Sequence, residues 1–206
     1  VPEITELTKA FVILLAVIDP IGNLPLYISL TADKTSKEHD AIIFKTSCAS
    51  VVLLTLSFLF GKFIVLFFGI QMPAFKLVGG VFLIYIAFTM LADTKATNSL
   101  WGDHSTKDDI ALMPLTFPLF IGPAAISFVI IRSSEISLWS NKLISIAEFV
   151  LVGGVIWLSL KFARKLVGVL GRTGIKFVTQ IMGLLLGSLA VGIIADELKE
   201  LLPGLS

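Results

Sequence analysis

The stretch Ile18-Asp19-Pro20-Ile21-Gly22-Asn23-Leu24-Pro25-Leu26 interrupts an apolar run that otherwise reads as a membrane-spanning helix. Asp19 follows Lys9 by about ten residues, which at about 1.5 Å per residue places it roughly 15 Å deep in a hydrocarbon core about 30 Å thick. A charge at that depth costs about 2.5–3.5 kcal/mol even on the lenient insertion scale, so it must face a partner or water. Pro20 has no backbone N–H and disfavours helical geometry at Asp19, while Gly22 and Pro25 weaken the next turn. The helix is therefore predicted to stop near Ile18 and restart near Asn23 or Leu24. Such a break frees carbonyls at one half-helix end and N–H groups at the next. The N–H groups suit a carboxylate; the carbonyls, with Asp19, suit an ammonium or a proton. Together they describe a receptor for a zwitterion. Two plainer roles stay open: Asp19 capping the second half-helix through the N–H groups of Gly22 or Asn23, and Asn23 bonding freed backbone groups, substrate, or both.

Composition sets the solvent. The 206 residues are 56% hydrophobic and 15% charged, with 16 phenylalanines, and the mean hydropathy is +0.96. Soluble domains carry about 25% charged residues, so this is read as an all-α, multi-pass protein of an inner or plasma cell membrane. A net charge of +1 without a basic stripe gives no case for nucleic acid. The one cysteine, Cys48, lies in an apolar segment and reads as a small packing residue. Glu3 and Glu6 stand where a signal peptide would be basic, so the first span is expected to be retained.

Apolar segments near residues 6–30, 41–68, 74–92, 111–131, 141–162 and 175–195 predict six transmembrane helices in one transporter domain. The polar stretch at about 93–110 reads as a linker between a first half, about 1–92, and a second, about 111–206. Sliding the chain so that Ile21-Gly22 meets Ile121-Gly122 also brings Lys76 onto Lys176 and Val78 onto Val178. An odd number of spans per half inserts the second half in the opposite sense, an inverted repeat with discontinuous first and fourth helices. Of the cations, Lys9, Lys62, Lys76, Arg132, Lys142 and Lys199 fall nearest the face with the termini, and the remaining ten nearest the other. The positive-inside rule then places both termini outside the cytoplasm. The cluster Lys161, Arg164, Lys165 and Arg172 reads as a topology anchor against anionic headgroups rather than a ligand site.

The fourth span repeats the interruption with Pro118, Gly122 and Pro123 in PLFIGPAAISF. Gly122 permits close backbone approach, and Pro123 suits a first helical position. Ala124, Ala125 and Ser127 add little bulk, so the pocket would admit a glycine- or alanine-sized ligand. Pro118 or Pro25 alone reads better as a simple kink. The glycines of the third and sixth spans, Gly79, Gly80, Gly183, Gly187 and Gly192, suit close helix crossings. Thr179 and Gln180 are polar enough to reach a central cavity. Glu148 is either an end-of-span charge, pairing with Lys45 or Lys142, or a proton relay. His39 and His104 read as loop residues without metal-ligand spacing, and no cofactor is expected.

The runs Asp19-Pro20-Ile21-Gly22-Asn23-Leu24-Pro25, Ala74-Phe75-Lys76-Leu77-Val78-Gly79-Gly80 and Pro118-Leu119-Phe120-Ile121-Gly122-Pro123-Ala124 resemble those of the MarC family of bacterial and archaeal membrane proteins. The resemblance covers nearly the whole chain. The family is similar in organisation to the LysE-type exporters, and its SnatA-like members resemble proton-dependent transporters of small neutral amino acids. The resemblance implies that substrate class here, with Asp19, Gly22 and Asn23 in the first break and Gly122 and Pro123 in the fourth span as site residues. The chain departs from the expected pattern at Thr179-Gln180, where a counterpart of Gly79-Gly80 would stand.

The expected function is thus secondary transport, by symport with a proton, of amino acids such as glycine and alanine. The substrate would bind among Asp19, Gly22, Asn23, Gly122, Pro123 and Ala124; Asp19 and Glu148 are the proton-coupling candidates, and Pro20, Pro25, Pro118 and Pro123 the helix breakers. The alternative is an exporter or channel for another small solute. An enzyme is not expected, because one membrane aspartate with no paired carboxylate and no nucleophile beside a base leaves no reaction to assign. The expected partners are the amino acid, the proton and the lipid bilayer, with a homo-oligomer left open.

Overall fold

The structure, a computed structural model, describes residues 4–32, 34–92, 110–136 and 138–202. Its helices are α1 (Ile4–Ile18), α2 (Leu24–Leu30), α3 (Ser36–Phe67), α4 (Met72–Leu91), α5 (Ala111–Phe120), α6 (Pro123–Glu135), α7 (Trp139–Lys161) and α8 (Ala163–Leu201). Among the described residues there is no strand. The linker expected at about 93–110 falls almost wholly outside the described residues.

Local chemistry sets several helix ends. Thr35 opens α3 with a capping box: its hydroxyl accepts from the Glu38 N–H while the Glu38 carboxylate accepts from the Thr35 N–H. At the other end of α3, Gly69 takes φ +69°. The Gly69 N–H bonds Leu66 O at 2.9 Å and the Ile70 N–H bonds Val65 O at 3.1 Å. This paired closure satisfies carbonyls that the helix end would otherwise leave bare in lipid. Pro73 then sits in the first turn of α4, where its missing N–H costs nothing. Gly171, at φ 62° and ψ 179°, kinks α8.

Among the described residues four helices are long and apolar enough to cross a membrane: Ser36–Phe67, Met72–Leu91, Asn141–Lys161 and Thr173–Leu201. The segments α5 and α6, bent by 63° at their junction, add a fifth when taken as one broken span. That is fewer than the six expected. The physical reason lies in the first span: α1 has 15 residues and α2 seven, about 22 and 10 Å of helix, and neither alone crosses a core of about 30 Å. The last helix is also much longer than the expected 175–195, because its basic entry continues the helix instead of ending it.

Side chains confirm which surface meets lipid. Phe63, Phe67, Phe68 and Phe177 are each more than 60% exposed, a display of large apolar groups that a water-facing surface rarely carries. The interior is one apolar cluster containing Leu14, Ile18, Leu24, Phe58, Ile121 and Phe149, with Phe58 and Phe149 edge-to-face at 5.4 Å. Helices approach closely at glycines. A Cβ on Gly80 would lie 2.7 Å from Ile194, and one on Gly183 would lie 2.8 Å from Met90, so both residues set the crossing of α4 with α8. Cys48, expected as a packing residue, is exposed on α3.

The packing has an internal correspondence. The α3–α6 contact is matched by α7 against α1 and α2, the α4–α6 contact by α8 against α1 and α2, and α3–α4 by α7–α8. The helices α3 and α7 also pack on each other, as do α4 and α8. Exchanging α1–α4 with α5–α8 therefore largely reproduces the set of neighbours.

Candidate functional site: two interrupted helices

The first break spans 19–23. The last bond of α1 runs from the Asp19 N–H to Leu15 O at 2.9 Å. Asp19 then turns left-handed, with φ 43°, a conformation that costs about 1 kcal/mol and that aspartate tolerates better than most residues. The chain re-enters helix at Leu24, with Pro25 in the first turn of α2. Pro25 therefore starts the second half-helix, whereas Pro20 lies inside the break.

Asp19 is 7% exposed, and both its carboxylate oxygens are engaged. The Gly22 N–H donates to Oδ1 at 3.0 Å, and the Thr179 hydroxyl of α8 donates to Oδ2 at 3.1 Å. The Asn23 side chain turns back and donates from Nδ2 to Ile18 O at 3.0 Å. One carbonyl freed by the break is thus taken by Asn23, and one freed amide by Asp19. Gly22 has no room for a side chain: a Cβ there would overlap both the Asp19 carboxylate and the Thr179 hydroxyl.

The second break is built differently. Through α5 the backbone makes wide turns, closed by Leu115 N–H to Ile110 O at 3.3 Å and Ile121 N–H to Thr116 O at 2.8 Å. Met113 (φ −130°, ψ 125°) and Phe117 (φ −120°, ψ 127°) are extended. Each precedes a proline, whose ring drives the preceding residue out of helical geometry. Pro118 accordingly lies within α5, four residues before the junction at Gly122. Gly122 is extended (φ −82°, ψ 179°) and Pro123 is the first residue of α6. A Cβ on Gly122 would lie 2.9 Å from the Pro118 carbonyl. No side chain caps the first turn of α6, which begins among the buried Ala124 and Ala125. An uncapped helix start in an apolar interior presents partial positive charge suited to a carboxylate.

The two breaks share one interior. α1 packs against α6, and Ile18, Leu24, Ile121, Ala124 and Ala125 belong to the same buried cluster. The helix α8 reaches the first break through Thr179, while Gly79 of α4 approaches Ser127 of α6, a Cβ at Gly79 falling 3.2 Å from the Ser127 Cβ. Residues at matching positions of the two halves therefore contact the broken helix of the opposite half. Gln180 does not reach this interior: its Nε2 bonds Leu91 O at 3.2 Å near the end of α4. A rotation of about 100° around the helix axis separates the two neighbours.

Glu148 is buried in α7 and pairs at 2.7 Å with Arg132 of α6, not with Lys45 or Lys142. Lys142 instead lies over the Trp139 ring, 4.7 Å from its centre. Lys76 bridges Glu135 at 3.3 Å and Glu197 at 3.2 Å. His39 lies in α3 rather than a loop, its Nδ1 3.0 Å from the Tyr27 hydroxyl; His104 lies outside the described residues. Two polar residues that sequence reasoning passed over hold α5 to α3. The Thr46 hydroxyl donates to Ala111 O at 3.2 Å, and the Thr116 hydroxyl lies 3.4 Å from Thr46 O while also donating to Ala111 O of its own segment at 2.7 Å. Threonine inside an apolar helix was the available signal, since its hydroxyl usually back-bonds locally and here does not stop there.

An all-helical chain with four to five candidate spans, a buried aspartate at a broken helix and a lipid-facing apolar surface is a multi-pass integral membrane protein. Residues 4–202 match the family of MarC integral membrane proteins, and the chain belongs to that family. It is 35% identical over 198 residues to a UPF0056 membrane protein of Buchnera aphidicola subsp. Schizaphis graminum, covering 96% of this chain and 93% of that one. It is 33% identical over 193 residues to the UPF0056 membrane protein MJ1677 of Methanocaldococcus jannaschii, covering 92% and 94%. With the UPF0056 membrane protein YhcE of Escherichia coli it shares 32% over 204 residues, covering 96% and 94%. Relatives thus occur in bacteria and archaea. No solved structure matches the chain.

Proposed function

We propose that the protein is a proton-coupled secondary transporter of small neutral amino acids such as glycine and alanine. In this reading six spans form two inverted three-helix repeats, α1 with α2 counting as the first span and α5 with α6 as the fourth. The matched packing of the two sets of helices supports the repeat, and the paired interruptions support a site near the midplane. The observation that carries the reading is the buried Asp19 carboxylate, held at a helix break by one amide of its own half and one hydroxyl of the other.

That geometry suits coupling. A hydroxyl donates to a carboxylate and accepts from a carboxylic acid, so Thr179 can keep its contact with Oδ2 in either protonation state. The Gly22 amide only donates, and a proton on Oδ1 would release it. A substrate ammonium would compete with Thr179 for the same oxygen, and the uncapped start of α6 would take the substrate carboxylate. Gly22, Gly122, Ala124 and Ala125 leave space for little more than a methyl side chain. Asn23, holding Ile18 O, keeps the break open, and Pro123 directs α6 toward it. Glu148, paired with Arg132, forms a structural ion pair in this scheme rather than a relay.

The test is uptake of labelled glycine and alanine by purified protein in liposomes, with and without an inward proton gradient. Saturable, gradient-driven uptake that is lost in Asp19→Asn supports the reading. Non-saturating flux indifferent to the gradient would favour a channel for another solute, and no flux of either amino acid would refute the substrate class.

A further inference from the structure

A second cavity lies away from the broken helices, between the α2–α3 connection and the α7–α8 junction. Its volume is about 620 Å³. Four cationic side chains, Lys34, Lys161, Arg164 and Lys165, line it with a single carboxylate, Asp40. Asp40 is already taken by Lys161 at 2.7 Å, while Arg164 and Lys165 form no ion pair with any described carboxylate. The excess of positive charge is therefore local to the cavity and not spread along the helix.

Two further features orient the chemistry. His39 also lines the cavity; its Nδ1 meets the Tyr27 hydroxyl, and its Nε2 is buried with no hydrogen-bond partner. If the tyrosine donates to Nδ1, Nε2 carries the hydrogen and is a donor without an acceptor. A buried donor left unmet costs about 1–3 kcal/mol, and a bound acceptor removes that cost. The first turn of α8, Ala163 to Lys165, borders the same space and has no side-chain cap, which adds the positive end of a helix dipole. In that tautomer His39, Arg164 and Lys165 each offer the cavity a donor or a cation.

We propose that this cavity is a binding site for a phosphate-bearing anion, held by Arg164 and Lys165 with His39 Nε2 as a hydrogen-bond donor. Arginine offers a planar fork matched to phosphate oxygens, and lysine adds a point charge. Bound there, the anion joins the start of α3 to the start of α8, elements from opposite halves of the chain. The site is independent of the amino acid site, and its test needs no transport.

The experiment titrates delipidated protein in neutral detergent with dihexanoyl phosphatidylglycerol, dihexanoyl phosphatidylcholine and inorganic phosphate, reading binding by native mass spectrometry and by the thermal midpoint. Wild type should bind one phosphatidylglycerol saturably, and R164Q/K165Q should bind at least about tenfold more weakly. The K37Q/K62Q pair, which removes the same charge outside the cavity, should bind like wild type. Competition by millimolar phosphate assigns a soluble anion as the ligand; binding of the lipid without such competition assigns a headgroup. Equal binding by wild type and R164Q/K165Q, an equal loss in K37Q/K62Q, or no saturable binding of either anion overturns the proposal. Gel filtration of each variant establishes that a loss is not unfolding.

Discussion

Replacing Thr179 by valine removes one hydroxyl and keeps the side-chain shape, so it isolates the bond to Asp19. Neutral hydrogen bonds between membrane helices average only about 0.6 kcal/mol. The Asp19 oxygen differs in two ways: it belongs to a buried carboxylate, and its other oxygen is occupied by Gly22. Hydrogen bonds to charged groups are worth about 1.5–3 kcal/mol, and a buried acceptor left unmet carries its own desolvation cost. With Asp19 ionised, Thr179→Val should destabilise the protein by about 2 kcal/mol, close to a thirtyfold change in the unfolding equilibrium; with Asp19 protonated the loss falls toward the neutral value. Thr179→Ser keeps the hydroxyl and should lose only the methyl packing, about 1 kcal/mol or less. Reversible unfolding in mixed micelles reads both values. A double-mutant cycle with Asp19→Asn should return most of the Thr179→Val loss as coupling energy. If serine and valine destabilise equally, or the cycle closes without coupling, the hydroxyl–carboxylate bond does not tie α8 to the first break.

Gly22→Ala should force the Asp19 carboxylate off both partners, because its Cβ would occupy their space; we expect loss of amino acid uptake with the protein still folded, checked by liposome flux beside gel filtration. Arg132→Ala leaves Glu148 buried without its cation and should cost about 3–5 kcal/mol, whereas Arg132→Met with Glu148→Leu should fall near wild type; thermal midpoints in detergent decide. Gly61→Ala should be destabilising, since its Cβ would overlap Ile130 of α6, while Gly154→Ala and Gly192→Ala, with open space at each Cβ, should stabilise by about 0.5–1 kcal/mol through helix propensity. The same unfolding assay orders the three.

Much of this architecture is legible from residue chemistry that acts locally. Asp19, Pro20 and Gly22 mark a helix end because proline and glycine act on their own turn, and α1 does end at Ile18. Gly122-Pro123 marks a restart for the same reason. The irregular path of α5 is less legible: Pro114 and Pro118 each extend the residue before them, and two such effects four residues apart leave no regular helix between them. Partners distant in sequence were out of reach. Thr179 reads as polar enough to reach a central cavity, but its pairing with Asp19 is set only by the packing of α8 on α1 and α2. Glu148 has several cations at plausible depth, and the choice of Arg132 depends on how α6 and α7 face each other. The basic cluster around Arg164 reads from sequence as a simple anchor, because four basic residues in sequence carry no information about a concave surface or about His39.

The length of α3 links this molecule to the thickness of its membrane. Beyond its polar first turn, residues 41–67 make about 40 Å of apolar helix against a core of about 30 Å, a mismatch that a lean of roughly 40° absorbs. The same helix holds α5 through Thr46 and α6 through the Ser133 hydroxyl, which donates to Phe58 O at 2.5 Å. A thicker bilayer that lets α3 stand more upright would therefore pull on both α5 and α6, so lipid chain length becomes a mechanical input to the protein's interior.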